Sequence, residues 1–309
     1  MRSKFNASLC AVFLLTISSV LLIRQAYALD LEVPSVTKGD MVIFPGAFSE
    51  LISDGVTYSE VNTPKRYMGW HIPGSQYPAG TGWWALVCDS YENQNDDKKN
   101  CKLHRTNLSV SKAKHGVYDA EPVDSQLLHW SPLPNDLDKV PREGEQRPKL
   151  IAVFKPTSGL ESLKLNEGLV TTYVHQGMKQ YPTTQRPSKL EVRLSLGNDR
   201  YADIIPRVQL TNQNGIATFE LRIGKQRQQL PGYHIPQIEI EASGMPQLSR
   251  HGYLLWAGDL DGDGRPDLIL NHGGEGINVA LYLSTLAKEG ELVGVAGNFE
   301  YFDPRSSGC

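Results

Sequence analysis

Ala217-Thr218-Phe219-Glu220-Leu221-Arg222-Ile223 sets an apolar side chain at every odd position and a polar one at every even position. A period of two throws successive side chains to opposite faces, so this stretch reads as a strand with one face buried and one wet, as an antiparallel sheet allows. Working outward, Met41–Phe44, Trp83–Cys88, Leu108–Val110, Leu150–Phe154, Val170–Val174, Leu190–Leu196 and Tyr233–Ile240 are short runs of the same kind. They are rich in β-branched or aromatic residues and bounded by Gly, Pro, Asn or Asp. Ile277–Leu286 fits two templates: Val279, Leu281 and Leu283 alternate, while Ala280 and Ser284 also suit a helix. Beyond the N-terminal apolar run no window keeps a long 3.6-residue period, so the expected fold is mainly β.

The chain begins with Arg2 and Lys4, continues almost wholly apolar from Ala7 to Ile23, and then offers the small residues of Ala26-Tyr27-Ala28. That order reads as a secretory signal peptide over 1–28 and predicts an exported protein, periplasmic or secreted, with no membrane span after cleavage. An uncleaved anchor is the competing reading of the same run. Residues 1–28 carry three basic residues and no acid, so the remainder holds 31 − 3 = 28 basic against 34 acidic residues, a net charge of −6. No basic patch stands out, which argues against nucleic acid as a partner. The remaining chain is long enough for one large or two small cores.

Pro122, Pro132, Pro134, Pro141 and Pro148 recur among charges between Val117 and Lys149. This stretch reads as a linker with a short strand at Leu127–Trp130. The expected organisation is a small β domain over 29–116, a Pro-rich linker over 117–149, and a β-sandwich-like domain over 150–309 ending in an Asp-rich hairpin. Cys88 and Cys101 enclose a polar stretch and are expected to pair in an oxidising compartment, leaving Cys309 over.

The segment with chemistry is Trp256-Ala257-Gly258-Asp259-Leu260-Asp261-Gly262-Asp263-Gly264-Arg265-Pro266-Asp267-Leu268-Ile269-Leu270. Carboxylates stand at positions 1, 3, 5 and 9 of the loop 259–267, and Gly262 and Gly264 permit the positive φ angles of a tight turn. Calcium takes about six to eight oxygen ligands, which alternate carboxylates and a backbone carbonyl at position 7, Arg265, can supply. Four acids crowded without a cation would repel one another. An EF-hand uses the same early positions but needs a Glu at position 12, where this chain has Leu270 at the start of no helix.

The pattern Asp-x-Asp-Gly-Asp-Gly-x-x-Asp-Leu after an aromatic-Ala-Gly strand end resembles the calcium loops of FG-GAP and VCBS repeats, the blades of integrin α-subunit propellers. The resemblance spans Leu254 to Phe299, about one blade. It implies Asp259, Asp261, Asp263 and Asp267 as side-chain ligands of Ca2+ and Arg265 as a carbonyl ligand. The single copy departs from the family, so neither a propeller nor its ligand-binding face is implied. Leu254 to Asp259 is also similar to the C-terminal part of exported bacterial proteins, a resemblance that brings no activity with it.

No nucleophile elbow, His-Glu-x-x-His pair or phosphate-cradling glycine loop is present, and the residues identify no enzymatic activity. His251 and His272 lie nearest the loop in sequence, but calcium prefers oxygen, so they read as turn or surface residues. Glu275 lies in a glycine-rich loop from which it could approach the metal. Trp70, Trp83, Trp84, Tyr77 and Tyr91 read first as core and second as a sugar-stacking surface, with one indole of Trp83-Trp84 expected near the surface. The expected function is that of an exported, non-catalytic calcium-binding protein with a structural or ligand-binding role, a glycan or envelope protein being the candidate partner. A secreted carbohydrate-active hydrolase is the alternative.

Overall fold

The computed structural model describes residues 41–45, 66–69, 79–89, 100–112, 126–134, 149–157, 160, 163–173, 175–176, 191–210, 215–235, 253–272 and 277–301. All of them lie in the compact unit Ser35–Cys309. Their elements are β1 (Met41–Pro45), β2 (Arg66–Gly69), β3 (Gly80–Cys88), β4 (Cys101–Lys112), β5 (Gln126–Ser131), β6 (Lys149–Pro156), β7 (Gly168–Thr172) and β8 (His175–Gln176). They continue with β9 (Val192–Gly197), β10 (Arg200–Leu210), β11 (Gly215–Ile223), β12 (Gln226–Ile235), β13 (Leu254–Asp259), β14 (Asp267–Asn271) and β15 (Ile277–Leu283). A 3-10 turn, η1 (Ser284–Leu286), precedes β16 (Gly294–Tyr301). The mainly β expectation holds, and no described helix is long and apolar enough to cross a membrane.

The larger sheet closes on itself. Its neighbours run β4-β3-β6-β1-β16-β15-β14-β13-β7, and β7 then pairs back onto β4 through Cys101↔Val170, Lys102↔Leu169 and Leu103↔Gly168. The second half of β4 leaves the ring to pair with β5, which carries β2 at the outer edge. Among the described residues every pairing is antiparallel except β1 with β16, which meet at Met41 and Gly297. The second sheet is an antiparallel meander, β12-β11-β10-β9-β8.

Alternation gives most strands of the ring two cores. Ile43, Leu86, Leu103, Phe154, Trp256, Ile269, Leu281 and Ala296, with half-buried Val170, bring one side chain from each ring strand into a single cluster, the filled interior of the barrel. The alternate residues Leu254, Ala257, Leu268, Leu270, Ala280 and Tyr282 of β13–β15 face outward and pack on Val192, Leu194, Ile204, Phe219 and Leu221 of the second sheet. The expected sandwich therefore exists locally, as a meander laid on one wall of a barrel. A third cluster of Phe44, Trp83, Trp130, Leu108 and Val153 covers another wall.

Two expectations need correction here. Strands from 29–116 and 150–309 do not form separate domains: β3 and β4 are hydrogen-bonded into the same ring as β6 and β13–β16. The described part of 117–149 supplies β5, matching the short strand read at Leu127–Trp130. Neither indole of the Trp83-Trp84 pair lies at the surface, because both faces of β3 are covered. Trp83 packs on Phe44 and Trp130, while Trp84 faces the barrel interior with the Arg105 guanidinium over its ring at 4.6 Å. Trp70, Tyr77 and Tyr91 lie outside the described residues.

Candidate metal centre

β13 ends at Asp259 and β14 begins at Asp267, paired through Gly258↔Asp267. The loop between them turns at Gly262 and Gly264, with φ of 78° and 77°, the left-handed region where glycine carries no Cβ penalty. Asp259 organises the turn, its Oδ1 accepting from the Gly262 and Asp263 amides at 2.8 and 3.0 Å and its Oδ2 from the Gly264 amide at 2.9 Å. Leu260 points the other way and is buried in the barrel interior, so the loop is anchored by an apolar residue at one side and carboxylates at the other.

One carboxylate oxygen each from Asp259, Asp261 and Asp267 lies within 4.8 Å of the others. Asp267 is fully buried, its Oδ2 accepting from the Leu260 amide at 2.7 Å and its Oδ1 from the Ser284 amide at 2.8 Å. Burial pushes its pKa up to about 8 despite those two amides, and the nearby Asp261 charge adds to the rise. Asp261 is 7 % exposed. Its Oδ2 accepts from Thr285 Oγ1 at 2.6 Å, while its Oδ1 is buried and meets no hydrogen-bond donor among the described residues. Burial raises its pKa, and the Thr285 hydroxyl opposes the rise. Tyr173, at the end of β7, is raised to about 12, chiefly by burial and then by Asp259 and Asp267.

Asp263 stands outside this group. Its Oδ1 accepts from the Arg265 amide at 2.8 Å, and its Oδ2 from Ser284 Oγ at 2.8 Å and from the Arg265 guanidinium at 2.7 and 2.8 Å. Burial pushes the Asp263 carboxyl up, but these donors together hold it below its ordinary value. The Arg265 side chain is thereby turned onto Asp263. His272 is not a turn or surface residue: it is fully buried between the barrel and the second sheet, 2.9 Å from the Tyr282 hydroxyl and edge-on to Phe219. Burial lowers its pKa to about 4, which keeps the ring neutral. His251 and Glu275 lie outside the described residues.

The residues that sequence reasoning missed are Ser284 and Thr285, which reach the loop from η1. Their only signal was the double pattern of Ile277–Leu286, now resolved as a strand followed by a turn that turns its hydroxyls toward the aspartates. Comparison with known proteins found no matching family model, no matching curated protein and no matching solved structure. The chemistry of the site therefore rests on its own geometry. An oxygen-only donor set, two of its three carboxylates buried, can hold a metal ion. Each carboxylate oxygen offers two lone pairs, so both oxygens of Asp267 keep one after their amide bonds, and Asp261 Oδ1 keeps both.

Proposed function

We propose that the loop 259–267 binds calcium and that the protein is an exported, calcium-stabilised β protein with a structural or ligand-binding duty at the cell envelope or outside it. The observation that carries this reading is Asp261 Oδ1, a buried oxygen with no hydrogen-bond partner, on a carboxylate grouped with the fully buried Asp267. A fold that buries carboxylates side by side without a cation bears both desolvation and repulsion, and a divalent ion removes the reason for either. Hard oxygen donors exclude the nitrogen and sulfur set that zinc prefers, and an irregular loop suits calcium better than magnesium, which demands compact octahedral geometry. The spacing 1, 3, 5, 9 shared with FG-GAP and VCBS loops supports the same ion.

Asp259, Asp261 and Asp267 would hold the ion, with Asp263 and the Arg265 carbonyl as the further ligands that the motif implies. Ser284 and Thr285 tie these carboxylates to η1, so one ion would fasten the β13–β14 hairpin to the turn before β16. Titration calorimetry on metal-stripped protein tests the reading. The expected result is calcium binding with a Kd of roughly 10⁻⁴ to 10⁻³ M, as in extracellular modules, weaker magnesium binding, and no heat for Asp261→Ala. No calcium heat with the wild-type protein would refute it.

A further inference from the structure

The barrel has one strand that is held differently from the rest. β7 closes the ring, yet it meets β13 only at Gly258↔Thr172 and Asp259↔Thr171, helped by the Tyr173 amide donating to the Ala257 carbonyl at 2.9 Å. On its other side it meets β4 at Cys101, Lys102 and Leu103. Within β7 itself little side-chain burial reinforces these seams, since Leu169 is 72 % exposed, Thr171 is exposed and Val170 is only half-buried, and the buried Tyr173 lies just past its end. The β13 seam nevertheless ends on the carboxylate group. Asp259, the partner of Thr171, belongs to that group, whereas the disulfide at Cys101, the partner of Val170, ties β4 to Cys88 of β3 and leaves β7 unbridged.

We propose that β7 is a detachable closing strand, clasped to β13 by calcium at Asp259, so that calcium controls whether the barrel is shut. This rests on the calcium reading of the loop and adds its regulatory consequence. The physical link is short. Asp259 is the last residue of β13, and its carboxylate folds the turn by accepting three backbone amides, so whatever fixes that carboxylate fixes the backbone that Thr171 pairs with. Gly258 shows how tight the seam is, because a Cβ there would overlap the Thr171 carbonyl and the Trp256 ring. Millimolar calcium, which the clasp needs, occurs outside the cytosol. The ring is then complete only in the compartment that the N-terminal sequence predicts for this protein.

Hydrogen exchange read on the peptide covering 168–173, with a β10–β11 peptide as control, tests this. If opening of β7 abolishes the site, exchange there slows by the factor 1 + [Ca²⁺]/Kd, about tenfold at a tenfold excess over Kd, while the control is unchanged. Gly258→Ala, which leaves every carboxylate in place, is expected to exchange fast at 168–173 even with calcium. Asp261→Ala should exchange fast with or without it, and serves if Gly258→Ala does not fold. Calcium binding by calorimetry with no change at 168–173 overturns the clasp and leaves the calcium reading standing. Absence of calcium binding overturns both.

Discussion

Replacing Asp261 by Ala should have opposite effects with and without calcium. In the metal-free protein the substitution removes a buried carboxylate from a group whose members lie within 4.8 Å. Two unit charges at that separation repel by roughly 3 kcal/mol at an effective dielectric of about 20. The repulsion is partly relieved because Asp267, with a pKa of about 8, is mostly protonated at neutral pH, and Asp259 is half-buried rather than buried. Against this gain stands the lost Thr285 hydrogen bond, worth about 1 to 2 kcal/mol. The metal-free variant should therefore be as stable as wild type or about 1 kcal/mol more stable. In calcium the wild type gains RT ln(1 + [L]/Kd), about 1.4 kcal/mol at tenfold and 2.7 kcal/mol at a hundredfold excess, and the variant gains nothing. At about 2–4 °C per kcal/mol for a domain of this size, wild type should rise by roughly 3–10 °C on adding calcium. Melting curves of both proteins in metal-stripped buffer and in calcium give the Tm values required, with magnesium as the control ion. Should the variant be destabilised equally in stripped buffer and in calcium, Asp261 is an ordinary structural residue and the reasoning from its unpartnered oxygen fails.

Asp267 makes metal-free stability depend on pH in an unusual direction. Its pKa is raised from 3.8 to about 8, so the folded state holds the proton more tightly and stability falls as pH rises across that window. His272, lowered from 6.5 to about 4, contributes the opposite slope below 6.5 and masks the fall there. The metal-free Tm should thus drop chiefly between about pH 6.5 and 8, calcium should suppress the drop, and Asp267→Asn should flatten it; a flat wild-type profile in stripped buffer would contradict this. Trp83→Ala empties a site packed by Phe44 and Trp130 and should cost about 3–5 kcal/mol by chemical denaturation. Gln228→Ala removes a side chain whose Oε1 accepts from the Leu292 and Val293 amides at 2.7 and 2.9 Å and whose Nε2 donates to the Val293 carbonyl at 2.8 Å. It should cost about 2–3 kcal/mol by the same assay, and faster hydrogen exchange should be confined first to the approach to β16.

Strands that bury one face cleanly were legible, and those that serve two cores were not. Phe219 and Leu221 alternate with Glu220 and Arg222 because β11 has a single apolar side, turned to the barrel. β4 sends Cys101 and Leu103 into the barrel and then Leu108 and Val110 toward the opposite cluster, so its odd and even residues exchange roles along one strand. Only Leu108–Val110 carried a readable pattern. β10 was hidden by Pro206, which sits beyond Ile204, the last residue paired with β9, and so lies where β10 has β11 alone as its neighbour, in register with Phe219. At the site, glycine and aspartate spacing announced the turn, and the positive φ of Gly262 and Gly264 follows it. The hydroxyls of Ser284 and Thr285 come from a distant turn, and no spacing within the loop could point to them.

β7 and β13 lie side by side in the ring, although all of β8–β12 falls between them in the chain. In topological terms the five-stranded meander is an insertion into a hairpin of the barrel, entering after Tyr173 and returning before Tyr253. Such a cassette is a natural place to shorten, exchange or graft, since the ring's own hydrogen bonds do not pass through it. What keeps it in place is chemical rather than topological: Leu254, Leu268, Leu270, Ala280 and Tyr282 form an apolar wall on the barrel's outside that the cassette covers together with Leu292 and Val293. A minimal barrel with a few-residue loop in place of 174–252 should remain soluble once that wall is resurfaced with polar side chains.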